Sequence, residues 1–433
     1  MPSDPILLLG EGDLADEVRG ALEALDAAVV RLVRPTQREL AEVFERGRVE
    51  RAVVVAADDP SALRMALMVR DADADVELLI TYFDPTTAEE LSRRIGNCRI
   101  VSMAEIAAPT LAGACLDEDL GAIRLEDGRP VGLRTDGDEV EEVAVAIPDR
   151  RRVRSLLTAL LSPYDRSAAL LFYGAVGIMV ILLIETVAAA IVLDQGLIDA
   201  FYGAAKTLVT VDPNDEVADG PSAFKVFISI LMLTALVFEA FFTAGIVNRL
   251  IDRRLTGLFG RRAVPRRDHV IVVGLGQVGL RLCLLLRDCG VAVVAVDDQE
   301  DGENVGKARE EGLPVVIGQG ADPSVLRRLS VGRALSLAAV TNDDLANLSI
   351  AMSSRATCED LRVVLRVGDG HLANETRSLF KIGIVRDVHR IAAGLIAAQA
   401  TGSPASAVIC REEQTHLVHA DGTLEEAAIA AST

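Results

Sequence analysis

The chain has 433 residues, enough for two or three domains, and its 64 acidic against 44 basic side chains leave a net charge of −20. That acidity excludes nucleic acid as a partner, because phosphate recognition needs a basic face. Half the residues are hydrophobic and mean hydropathy is +0.32, yet a quarter are charged, a mixture that fits a membrane hairpin carried by water-facing domains.

In chain order, residues 1–149 read first as an α/β domain. The start carries no basic stretch or cleavage site, so this domain is expected to stay in the cytoplasm. A buried-strand run at 6–9 leads through a glycine turn to a helix over 15–25 and a second strand over 27–33. Strand-like runs recur at 51–56 and 76–81 between helical patterns, and such alternation predicts a parallel, doubly wound sheet. The six cysteines form no Cys-x-x-Cys pair and have no histidine at ligand spacing, which points to reduced, buried thiols.

Residues 150–260 read as a membrane module. Apolar runs at about 167–193 and 223–250 each exceed the roughly 20 residues that cross a bilayer. Between them, 197–215 is too short to cross and is expected to enter as a re-entrant helix and turn back. Arg150, Arg151, Arg152 and Arg154 precede the first run, Arg253, Arg254, Arg261 and Arg262 follow the second, and the connecting loop is acidic. The positive-inside rule then predicts a multi-pass protein of the plasma membrane with both termini cytoplasmic. Glu185 and Glu239 interrupt the runs, and an ionisable group at that depth faces a cavity or a partner. Glu239 is expected on a conduction path, while Gly245 reads either as a gate hinge or as a close helix contact.

Within this module, residues 199–215 resemble the pore helix and filter of potassium channels, whose pattern is Asp-Ala-hydrophobic-Tyr and then Thr-x-x-Thr-Val-Gly-Tyr-Gly-Asp. Asp199, Ala200, Phe201, Tyr202, Thr207, Thr210, Val211 and Asp215 stand in register with it, but Asp212, Pro213 and Asn214 replace Gly-Tyr-Gly. In that family backbone carbonyls replace the ion's hydration shell. Pro213 holds its φ at about −65°, so the carbonyl ladder is not expected here and strict potassium selectivity is not carried over. A ring of Asp212 carboxylates suits a less selective cation path. The resemblance implies a homotetramer, bordered by membrane lipid and threaded by permeant cations.

Residues 261–433 repeat the text of the first domain. Gly10, Gly12 and Ala15 match Gly274, Gly276 and Gly279 at an offset of 264 (274 minus 10). Farther on the offset is 285, as for Asp58-Asp59 with Asp343-Asp344 (343 minus 58) and Ile106-Ala107 with Ile391-Ala392. The halves read as duplicated domains, the first lacking 21 residues (285 minus 264) around 312–323.

Residues 269–298 read strand, glycine turn, helix, strand. Gly274 makes the tight turn, Gly276 admits a pyrophosphate close to the backbone, Gln277 opens the helix, and Gly279 lets that helix pack on the sheet. Asp297, followed by Asp298, stands where an acid hydrogen-bonds a ribose. The expected ligand is NAD(H) or an adenine nucleotide, and the competing reading is a Rossmann-like shell that binds nothing. The first copy is expected to be structural: Glu11 and Asp13 crowd its turn, Ala15 replaces the third glycine and Val33 replaces the ribose acid.

Both copies are similar to RCK domains, regulators of potassium conductance also found in Trk-type uptake subunits. Val340-Thr341-Asn342-Asp343-Asp344 and Val364-Leu365-Arg366-Val367 carry this likeness. It implies an α/β and membrane α-helical protein in which two Rossmann-like RCK domains flank a two-helix transmembrane pore module with a re-entrant pore helix. The chain departs from the family in placing one domain ahead of the pore and in ending each copy with a short strand-rich tail, at 121–148 and 406–430. The expected function is a ligand-gated cation channel, and the alternative is a non-conducting, membrane-anchored nucleotide sensor. An enzyme is not expected, since none of the five histidines accompanies a Lys, Tyr or Ser constellation suited to hydride chemistry.

Overall fold

Runs such as Ile6–Gly10 and His269–Val273 are apolar at nearly every position, so both faces of the strand must be covered, which a parallel sheet sandwiched by helices achieves. The computed structural model describes residues 4–56, 58–82, 93–136, 139–145, 166–208, 217, 220–251, 264–265, 267–368, 382–411, 414–419 and 422–427. Two compact units emerge, one of residues 1–148 with 264–433 and one of 149–263.

The first copy runs β1 (Ile6–Gly10), α1 (Asp13–Ala24), β2 (Val29–Leu32), α2 (Gln37–Arg46), β3 (Arg51–Val55), α3 (Asp59–Ala72), β4 (Glu77–Thr81), β5 (Cys98–Val101) and α4 (Met103–Leu116). Its five strands form a parallel sheet in the order β2-β1-β3-β4-β5. Local chemistry starts the helices: Thr36 and Glu39 form a reciprocal capping box on α2, and Asp58 caps α3 ahead of Pro60. An antiparallel meander follows, β6 (Ala122–Glu126), β7 (Arg129–Asp136) and β8 (Glu139–Ala144). Asp127-Gly128, both at positive φ, make its first two-residue turn.

In the second unit, α5 (Arg166–Val192) and α7 (Ser222–Ile251) bracket the short α6 (Leu197–Leu208). Stretches of 23 residues in α5 and 26 in α7 are long and apolar enough to cross a membrane. The two long helices touch through glycines. A Cβ on Gly174 would stand 2.7 Å from Phe242 N, one on Gly177 would enter the Phe238 ring, and one on Gly245 would stand 2.8 Å from Leu171 N. Small residues at such places let helix backbones approach without relying on water to drive them together. At Gly245 the backbone of α7 thus lies directly against Leu171 of α5.

The second copy runs β9 (His269–Val273), α8 (Gln277–Asp288), β10 (Ala292–Asp297), α9 (Glu303–Glu310), β11 (Val315–Ile317), α10 (Pro323–Arg328), β12 (Ser336–Ala339), α11 (Asp344–Thr357), β13 (Arg362–Val367), β14 (Ile384–Asp387) and α12 (Val388–Ala400). Its sheet has the order β11-β10-β9-β12-β13-β14, one strand more than the first. The added edge strand β11 lies in the stretch for which the first copy has no counterpart. A second meander, β15 (Ala407–Arg411), β16 (Gln414–Val418) and β17 (Leu424–Glu426), closes the chain.

The copies exchange their last helices. Ala107, Ala108 and Leu111 of α4 pack not on their own sheet but against Val270, Val272, Leu282 and Leu286 of the second copy. Ile391, Ala392 and Ile396 of α12 pack against Ile6, Leu8, Val18 and Leu22 of the first. Each fully buried Leu or Ile in these seams contributes about 2 kcal/mol. Both exchanged helices end on an arginine of the other copy: Arg362 Nη1 donates to Leu116 O at 2.6 Å, and Arg51 Nη1 donates to Gln399 O at 3.2 Å and to Ala400 O. A cation at a helix C-terminus satisfies carbonyls that have no intrahelical donor and complements the helix dipole. Contiguous stretches of sequence therefore do not coincide with the packed bodies.

Candidate functional site

The glycine turn of the second copy is built by its own backbone. Gly274 sits at φ +100°, where a side chain is strained, and a Cβ there would meet Thr341 N at 2.7 Å. A Cβ on Gly279 would run into Gly274 O, so α8 reaches the sheet only with glycine there. Gly276 is different: its φ is −65°, and a Cβ would come no closer than 3.6 Å to any group, Asn342 Oδ1 being the nearest. Neither strain nor packing among the described residues requires that glycine, and the space in front of the turn is open there.

Gly276 is also the N-cap of α8, and no side chain caps it. The first-turn amides of Gln277, Val278 and Gly279 thus have no intrahelical acceptor, and the helix dipole favours an anion in front of them. Asp297, at the end of β10, accepts from Leu275 N at 2.7 Å through Oδ2 and from Gln299 N at 2.9 Å through Oδ1. It braces the turn, and each oxygen keeps a lone pair for a hydroxyl. Asp298 beside it is exposed.

A cavity of about 460 Å³ opens beside this turn. In each sheet the strand order reverses around the first strand, between β1 and β3 and between β9 and β12, and the crevice at such a switch point is where open α/β sheets take ligands. Here the two crevices meet in one space, with Gln277, Asn342, Arg366 and His389 from the second copy and Glu11, Gly12, Asp13, Asp58 and Asp59 from the first.

The sequence marks Arg366 only as part of a strand and does not single out Asn347 or His389 for this site. Asn347 is fully buried on α11 and uses its whole amide: Oδ1 accepts from Thr341 N and Oγ1, and Nδ2 donates to Thr341 O and Arg366 O. This latch holds the end of β12 to β13. Arg366 is 8% exposed; its Nη1 donates to Thr341 O at 2.9 Å and Asn342 Oδ1 at 2.6 Å, and its Nε has no hydrogen-bond partner among the described residues. Burial pulls its pKa below the ordinary arginine value, opposed by Asp344. His389 hydrogen-bonds Gly368 O through Nδ1 at 2.8 Å. Its pKa is pushed down by burial and by Arg366, against that hydrogen bond, Asp13 and Asp344. The one sequence signal for this cluster was a charged residue inside an otherwise apolar central strand, Val363 to Val367.

In the second unit, α6 buries Ala200, Gly203, Ala204 and Thr207, one face at helical spacing. Its other face leaves Leu197, Ile198, Phe201 and Tyr202 exposed, Ile198 by 84%. Lys206 lies 5.9 Å over the Tyr202 ring, a cation–π contact within the helix. Glu185 of α5 is buried, Thr207 Oγ1 of α6 donates to Gly203 O at 3.0 Å, and Glu239 of α7 is half-buried. Thr210, Val211, Asp212, Pro213, Asn214 and Asp215 lie outside the described residues.

Residues 270–385 match the TrkA-N domain family. Over 187 residues the chain is 26% identical to the voltage-gated potassium channel Kch of Escherichia coli (strain K12), covering 42% of this chain and 45% of that protein. Over 200 residues it is 22% identical to potassium channel protein 1 of Methanocaldococcus jannaschii, covering 45% and 59%. It thus spans about half the length of these curated relatives. Among solved structures the GsuK channel shares the fold, with a TM-score of 0.51 and 16% identity over 92% of this chain and 64% of that one.

Proposed function

We propose that the chain is one subunit of a ligand-gated cation channel, with residues 150–260 forming the pore of a homotetramer in the plasma membrane and the 274–279 turn taking NAD(H) or an adenine nucleotide as regulatory ligand. The observation that carries this reading is α6, a short helix between two membrane-length helices that buries only its small-residue face and leaves a bulky apolar face uncovered. Irregular backbone at membrane depth needs protein or a water-filled lumen around it, which further copies of the same chain supply. Lipid then covers the outward faces of α5 and α7. The names of the curated relatives, both potassium channels, support the class.

Cations would pass the segment from Thr210 to Asp215. Glycine is absent from 212–214, so a ring of Asp212 carboxylates rather than a carbonyl ladder would set selectivity, and discrimination among cations would be modest. Gating follows from linkage: a nucleotide that binds one arrangement of the paired Rossmann copies more tightly shifts the open–closed equilibrium by that difference in affinity. The Asp212-Pro213-Asn214 replacement also favours a second reading, a nucleotide sensor that kept the channel frame and lost conduction.

Planar-bilayer recording of the full chain under sodium, potassium and calcium gradients, with NAD, NADH, ADP and ATP added in turn, separates the two. A channel shows cation current that nucleotide changes and that Asp212→Asn reduces. Nucleotide binding without current under every condition establishes the sensor.

A further inference from the structure

We infer that the first Rossmann copy, which has lost its own nucleotide signature, forms one wall of the second copy's ligand site and selects the ligand by charge, favouring an oxidised nicotinamide dinucleotide over its reduced form and over a nucleoside triphosphate. This deepens, and rests on, the nucleotide reading of residues 274–279.

The cavity is asymmetric in a way that the duplication makes legible. Register across the repeat pairs Arg366 with Thr81, Asn347 with Ala62 and His389 with Ala104 (each 285 apart). The guanidinium and its amide latch therefore occur once per chain, on the second copy's side. Arg366, almost wholly buried, lines the cavity together with Gln277 and Val278 of the uncapped first turn of α8. A guanidinium beside free helix amides is an anchor for a phosphate.

The opposite wall has the other sign. Glu11, Asp13, Asp58 and Asp59 bring four carboxylates to the same space. Glu11 is paired with Arg34, and Asp58 is held as the cap of α3 by Ser61 N, whereas Asp13 stands exposed in the first turn of α1. Asp13 acts across the cavity on His389 of the second copy, so the two walls share one field. A dinucleotide with its phosphates on α8 and Arg366 extends its remaining half toward these acids. A pyridinium is stabilised there, a neutral dihydropyridine is not, and further phosphates are repelled. The oxidised dinucleotide carries the least negative charge of the set, because its ring cation offsets one phosphate.

The test is isothermal titration calorimetry of the full chain in lipid nanodiscs against NAD, NADH and ATP, each in excess EDTA. The oxidised form should bind about tenfold tighter than the reduced form, with ATP weakest. Asp13→Asn, an exposed substitution that leaves the fold intact, should shrink the ratio between NAD and NADH about threefold, and Asp59→Asn should shrink it in the same direction. Arg366→Gln should weaken all three ligands together. Affinities for NAD and NADH within twofold of each other in the wild type, or a ratio untouched by both acid variants, overturn the charge selection while leaving nucleotide binding in place. Failure of every nucleotide to bind the wild type removes the nucleotide reading itself.

Discussion

At two of their three matched positions, 12 with 276 and 15 with 279, the glycine turns of the two copies differ. Gly12 sits at φ +87° with nothing within 4 Å of where a Cβ would stand, so its glycine answers to backbone strain alone. Gly276, its counterpart, has an ordinary negative φ and room for a methyl group. Ala15 is buried without conflict, yet its counterpart Gly279 would drive a methyl into Gly274 O. The first turn thus follows a wider path that accepts a side chain, and the second holds its helix close enough to the sheet to offer bare amides. A shared glycine pattern does not by itself distinguish a binding turn from a merely tight one; the conformation at each glycine does.

Exchanging the residues that differ breaks the comparison most strongly. Gly279→Ala should destabilise the unit that holds the two Rossmann copies by about 3 kcal/mol through overpacking against backbone, whereas Ala15→Gly should cost only about 1 kcal/mol, the helix penalty of glycine. Circular dichroism melts of the full chain in detergent would measure both, and equal losses would show that the turns are equivalent after all.

The next effect concerns the amide latch, which the first copy lacks. Asn347→Ala reproduces Ala62 and removes the side-chain partner of the Thr341 amide and of the Arg366 carbonyl, at a cost of about 2 kcal/mol. In the same melts, a loss below about 0.5 kcal/mol, the range of neutral surface changes, would mean that water replaces the latch.

The smallest effect is a pH dependence that only the second copy should show. The folded pKa of His389 lies below its unfolded value, so the unfolded chain binds more protons in that interval. Its contribution is complete above the unfolded histidine value of about 6.5 and declines as pH falls from there through the folded pKa. Arg366, Asp13, Asp344 and the Gly368 carbonyl face the ring and set that interval. His389→Gln should flatten the stability profile below about pH 6.5, and an unchanged slope would assign it to other groups.

The strands were legible because burial on both faces writes continuous apolar runs into the chain, and the repeat was legible because those runs keep register. An offset of 285 carries the start of β3 at Arg51 onto β12 at Ser336 and the start of β4 at Glu77 onto β13 at Arg362. The turn residues from Gly274 to Gly279 and Asp297 could be read in the same way, since their spacing follows from local backbone geometry. Arg366, Asn347 and His389 could not be gathered from sequence, because they lie on β13, α11 and α12 and meet only in the folded copy.

Two α/β repeats, two helices of membrane-crossing length and a glycine turn with its following acid are thus written in the sequence, all of them properties of segments that periodicity and spacing report. Which sheet each repeat's last helix covers, and that the two crevices open into one cavity, is settled only in the folded molecule. The reason is physical: α4 and α12 are small and apolar on nearly every side, so their hydrophobic pattern names no preferred face. Only close packing between distant parts of the chain selects the partner, and that selection brings the acids of one copy opposite the arginine of the other.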